Sequence, residues 1–166
     1  MRANQLLKAI GPELRAQIMA YLQTEQRPAY KAVIESLAPQ RRLRPAFILE
    51  KSRPKQAEWL LEQLNTKANE EVTAQIFQIW LLKGNEKMLI TFLDAAEIKH
   101  NGKGEVEDLP EEIADDKAEA AVSALLAAYP AKEVALYLHM FQEQRPEGWP
   151  SITKAIEAHP ELKLEA

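Results

Sequence analysis

The chain has 166 residues, 21 Lys plus Arg against 25 Asp plus Glu for a formal net charge of −4, 46% hydrophobic residues and no cysteine. That length suits one domain able to bury a core without disulfide or metal staples, and the missing thiols exclude cysteine nucleophiles, cysteine zinc sites and iron–sulfur clusters. Lys8, Glu13 and Arg15 interrupt any apolar run near the start, and the longest uncharged stretch, residues 120–131, is 12 residues where a membrane span needs roughly 20. We therefore expect a cytoplasmic protein with no membrane association.

Apolar spacing is helical almost throughout. Leu14, Ile18, Tyr21 and Leu22, then Tyr30, Val33, Ile34 and Leu37, each form one stripe at a period of about 3.6. Both stripes follow a proline, Pro12 and Pro28, which suits a first helical turn because its missing N–H has no partner there anyway. Pro54 opens a third helix with the stripe Ala57, Leu60, Leu61 and Leu64. Asn69 reads as an N-cap before Glu70 and Glu71. Residues 72–82 are apolar nearly all round, which predicts a buried helix, closed by Gly84, with Asn85 positioned to cap the next helix, whose stripe is Met88, Leu89, Phe92, Leu93 and Ala96.

The pattern then stops until about residue 115. Two more helices follow, carrying Ala118, Val122, Leu125, Leu126 and Tyr129, then Val134, Tyr137, Leu138 and Phe141, joined at Tyr129-Pro130 as a hairpin. Ala120, Ala124 and Ala128 would permit close helix approach. Residues 145–150 form a loop, Ser151 is a cap candidate, Ile152 and Ile156 mark a short last helix, and residues 161–166 are expected to fray. The fold class is therefore all-α: an irregular bundle of about eight or nine short amphipathic helices built from hairpins, with a short solenoid as the second reading. The whole of 1–166 is taken as one domain, with a candidate sub-boundary at 65–69. Near 98–107, Asn101-Gly102 predicts a surface turn, either a loop or a small β-hairpin.

Motifs for chemistry are sparse. His100, His139 and His159 share no metal spacing, and Glu97-x-x-His100 has the di-iron bundle spacing without the second copy such sites need. Residues 99–110 fail as a calcium loop at their first, fifth and twelfth positions. No serine lies in a G-x-S-x-G elbow, and five glycines form no phosphate loop. These absences lead us to expect a non-enzymatic protein without cofactor.

Charge is unevenly placed. Residues 1–83 hold 13 basic and 8 acidic side chains, net +5, whereas residues 84–166 hold 8 basic and 17 acidic, net −9. Arg41, Arg42, Arg44, Lys51, Arg53 and Lys55 fall within 15 residues against a single acid, Glu50. Conversely, residues 105–119 carry eight acids and one Lys117, punctuated by Val106, Leu109 and Ile113 as in a docking arm. The basic group has three readings: it is solvated or paired with the chain's own acids; it docks an acidic protein or a second copy; or it contacts nucleic-acid phosphates. The functional expectation is an interaction or adaptor module using these six residues, with a nucleic-acid-associated regulator as the alternative.

Overall fold

The computed structural model describes residues 1–165. Those residues form ten α-helices and three 3₁₀ turns, with no strand among them. The fold is all-α, as the apolar spacing predicts. The two helices that no apolar stripe marks are α1 (Ala3–Ala9) and α4 (Pro45–Leu49), seven and five residues long and too short to display a period. The chain divides into two compact units, Met1–Ile76 and Phe77–Glu165.

In the first unit α2 (Gly11–Glu25) packs on α1, on α3 (Arg27–Leu37) and on α5 (Arg53–Leu64), while α4 lies against α3 and α5. Pro12, Pro28, Pro45 and Pro54 all fall in first helical turns. The stripe residues Leu14, Ile18, Leu22, Tyr30, Ile34 and Leu37 are buried, each aliphatic one stabilising by about 1.5–3 kcal/mol relative to exposure.

Polar side chains are buried here too: Tyr30, Gln23 and Gln56 share one network, whereas Asn4 Oδ1 and Asn65 Oδ1 are enclosed without a partner among the described residues. Tyr30 Oη donates to Gln56 Oε1 (2.8 Å) and accepts from Gln23 Nε2 (3.1 Å). Gln56 Nε2 then donates to the carbonyls of Leu49 (3.0 Å) and Lys51 (2.7 Å), and Gln23 Nε2 to that of Arg53 (3.0 Å). This network fixes the link between α4 and α5 from beneath. Burial raises the pKa of Tyr30 above the ordinary phenol value, with the Gln23 hydrogen bond and the positive charges of Arg27 and Arg53 opposing it.

The link after α5 is tied in a similar way. Asn69 Nδ2 donates to the Gln63 carbonyl (3.0 Å), and Thr73 Oγ1 to the carbonyls of Leu64 (3.0 Å) and Asn69 (3.1 Å). The last carbonyls of a helix lack intrahelical partners, and these side chains supply them. Asn69 thus sends its side-chain amide back to α5, where the sequence suggests a forward cap.

α6 (Glu70–Gly84) leaves none of its apolar side chains exposed. Gly84 keeps a right-handed backbone, and Asn85 Nδ2 donates to the Trp80 carbonyl (3.0 Å), closing α6. In the second unit α8 (Asp115–Ala128) packs chiefly on α7 (Glu86–Ala95) and α10 (Pro150–Ala158), and also touches α9 (Ala131–Gln142). Its close approaches use buried Ala118 and Ala121, whereas Ala120 and Ala128 are exposed. The core is aromatic. Phe92 meets Tyr137 and Phe141 edge-on at 5.3 and 5.1 Å, and Phe141 stacks on fully buried Trp149 at 4.8 Å.

Trp149 occupies the N-cap position of α10, and Ser151 is buried behind it with its hydroxyl unpaired. The tail expected to fray is instead docked through Leu162, buried in a 3₁₀ turn (Pro160–Leu162), with Ala166 outside the described residues.

Candidate functional site

Arg41 and Arg42 end the 3₁₀ turn Ala38–Arg41, and Arg42 adopts a left-handed backbone (φ 58°) that reverses the chain into α4. Arg44 is the N-cap of α4, Lys51 lies in the link held by Gln56, and Arg53 and Lys55 begin α5. All are exposed except half-buried Lys51. Lys51 Nζ sits 4.7 Å from the centroid of Phe47, which at 52% exposure is the most exposed large apolar side chain among the described residues. An exposed aromatic ring faced by a cation is a cation–π arrangement.

The six cations do not converge on one point. Arg41 Nε donates to Gln63 Oε1 (2.7 Å), near the end of α5, while Arg53 and Lys55 occupy its start. At 1.5 Å per residue these ends lie about 15 Å apart, so the surface is a strip rather than an anion pocket. None of the cations of residues 1–76 forms an ion pair within its unit among the described residues. One residue outside the expected set belongs with it: Phe47 supplies the apolar element. An aromatic side chain directly after an Arg-rich, Pro-bounded run was the available sequence signal for Phe47.

The acidic segment is built differently. α7 ends in a turn in which the Ile98 N–H reaches the Leu93 carbonyl (2.8 Å) across Glu97, left-handed at φ 55°. The Asn101-Gly102 turn forms as a loop: Asn101 Oδ1 accepts from the N–H groups of Lys103 (2.8 Å) and Glu105 (3.2 Å). Farther on, Trp149 Nε1 donates to the Pro110 carbonyl (2.9 Å), and Arg145 Nη1 to the carbonyls of Pro110 (3.3 Å) and Glu111. Ile113 is buried and Val106 and Leu109 are half-buried, so the apolar residues read as docking elements are turned largely into their own unit. Several acids have partners: Asp94 with His100 (2.7 Å), Glu97 with Lys117 (2.9 Å), Asp115 with Lys154 (3.1 Å) and Glu119 with His159 (2.7 Å). The His159 hydrogen bond holds the Glu119 carboxyl below its usual range.

His100 and His159 meet different acids, Asp94 and Glu119, His139 makes no side-chain hydrogen bond among the described residues, and no group of three or more His, Asp or Glu among them is arranged to hold a metal ion. Ser123 Oγ donates to Glu119 Oε1 (3.2 Å), the oxygen that His159 Nε2 also meets, rather than to a histidine. No described helix is long and apolar enough to cross a membrane. The chain matches no family model, no curated protein and no solved structure.

Proposed function

We propose that this chain is a non-enzymatic, cytoplasmic interaction module whose first unit receives an acidic protein partner along the strip Arg41, Arg42, Arg44, Lys51, Arg53 and Lys55, with Phe47 as the apolar anchor. The observation that carries the reading is a row of cations without ion-pair partners in their own unit among the described residues, flanking a half-exposed aromatic ring. Long-range attraction to a negative partner speeds encounter and fixes register, and a buried aromatic anchor with Arg supplies most interface energy. A strip about 15 Å long matches roughly five residues of extended acidic peptide at about 3.3 Å each.

The test is affinity purification from source cells, comparing the natural chain with an Arg41→Glu, Arg42→Glu, Arg44→Glu variant and with Phe47→Ala. Both variants should retain their helical circular dichroism, because all four side chains are exposed, and both should lose the partner. Partner recovery undiminished in the reversal variant sinks the proposal. Sedimentation of the isolated chain reports the self-association form of the same contact, which the reversal should abolish. Should the strip bind nucleic acid instead, affinity for a duplex would fall steeply between about 50 and 200 mM salt, and that result would replace the protein partner.

A further inference from the structure

Within residues 77–165, the end of α6, one face of α7, α9 and the loop after α7 enclose a groove of about 320 Å³. Its floor is Leu81, Leu89, Tyr137 and Phe141, all buried, with Val106 as one wall and exposed Glu105 at the rim. The volume is about twice that of an engineered protein cavity of about 150 Å³ that holds benzene, and falls in the range of small-molecule sites.

The loop wall is held in place without a ligand. Gly104 has φ +92°, and a Cβ there would stand 2.9 Å from Leu89 Cβ, so only glycine lets the backbone approach this closely. The Asn101 side chain and the Asn101 N–H, which donates to the Glu105 carbonyl (3.0 Å), close the turn behind it. A preformed wall avoids the ordering cost that otherwise weakens binding.

Two groups give the groove a chemical preference. Tyr137 is 4% exposed, yet its hydroxyl makes no hydrogen bond among the described residues. It is not one of the fully enclosed unpaired atoms, which are Asn4 Oδ1, Asn65 Oδ1 and Ser151 Oγ, and Tyr137 lines the groove. A buried phenol normally finds a partner, and burial pushes the pKa of this one above the ordinary phenol value. At the rim, Glu105 Oε2 accepts from Asn101 Nδ2 (3.3 Å), leaving Oε1 without a partner. No Lys, Arg or His lines the groove, and residues 77–165 hold 9 basic against 17 acidic side chains.

We propose that the groove is a binding site for an arylalkylamine: an indole-sized apolar body against Leu81, Leu89 and Phe141, a polar atom on the Tyr137 hydroxyl, and the ammonium at Glu105. The test is titration of the full chain with tryptamine and with indole-3-acetate, read by amide chemical shifts. Tryptamine at about 1 mM should shift Gly104, Glu105, Val106 and Tyr137, and indole-3-acetate should bind roughly three-fold or more weakly. Glu105→Gln should remove that preference, Tyr137→Phe should weaken tryptamine roughly five-fold, and Val106→Trp, which fills the groove, should abolish binding with circular dichroism unchanged. Absence of shifts at these residues overturns the proposal. So does equal affinity for amine and acid, or binding that persists in a folded Val106→Trp protein.

Discussion

The two units hold their surface links with different side chains. In the first, the link between α4 and α5 is gripped by buried amides, Gln56 and Gln23 reaching its carbonyls. In the second, the link between α7 and α8 is gripped by its own Asn101 and, from the segment between α9 and α10, by the Arg145 guanidinium and the buried Trp149 indole. The consequence is a division of charge. Inner amides do the tethering in the first unit, so Arg44, Lys51 and Arg53 are left without ion-pair partners. The second unit spends Arg145, Lys117 and Lys154 on its own backbone and carboxylates. What holds a loop therefore decides which side chains remain for a partner.

The most damaging way to break the second arrangement is Trp149→Ala. It removes a fully buried ring stacked on Phe141 and the donor to Pro110, and should cost about 3–5 kcal/mol in denaturant unfolding. Amide exchange should rise across residues 106–113 while the Lys51 N–H, bound to the Ile48 carbonyl, stays protected. The matching lesion in the first unit is Tyr30→Phe. It strands Gln56 Oε1 and part of Gln23, should cost about 1–3 kcal/mol, and should speed exchange at residues 49–53 without affecting residues 101–105. If both variants loosened both links, the contrast would fail.

Gly104→Ala comes next. The methyl group must displace Leu89 and hold a left-handed backbone, at a cost of about 1–3 kcal/mol in thermal or denaturant unfolding. pH gives a smaller effect. Burial lowers the His139 pKa below the ordinary imidazole value, so the folded state favours the neutral ring. Its contribution is complete above the unfolded value of about 6.5 and is lost as pH falls through that value toward the folded one. The unfolding midpoint should drop on acidification from about pH 7 to 5, and His139→Gln should flatten this part of the profile. Smallest of all is Lys154→Ala: its pair with Asp115 leaves both side chains about 70% exposed, and stability should change by less than about 0.5 kcal/mol.

The helical stripes were legible because each records which face meets the core. Tyr30, Ile34 and Leu37, or Val134, Tyr137 and Phe141, needed no knowledge of their partners. Side chains defined by a partner were not legible in this way. Gln23, Gln56 and Gln63 stand outside the apolar stripes, yet lie buried because distant groups meet them. Asn69 and Asn85 reach back to the preceding helix, a direction that residue type does not encode. Of the candidate strip, the charge run was plain in the sequence. Its length depends on Arg41 reaching Gln63, 22 residues away, and only the fold reveals that.

The link between α7 and α8 covers 19 residues, 96–114, without a helix or strand of its own. Such a stretch is ordinarily an open target for proteases. Here Ile98, the Asn101 turn, the Pro110 carbonyl and Ile113 divide it into short spans, none long enough to straighten into an active-site cleft without releasing an anchor. Trypsin has two sites in the link, Lys99 and Lys103, both exposed, and should cut first at Lys103 in the Asn101 turn. The rate of that cut would report how often the clamp opens.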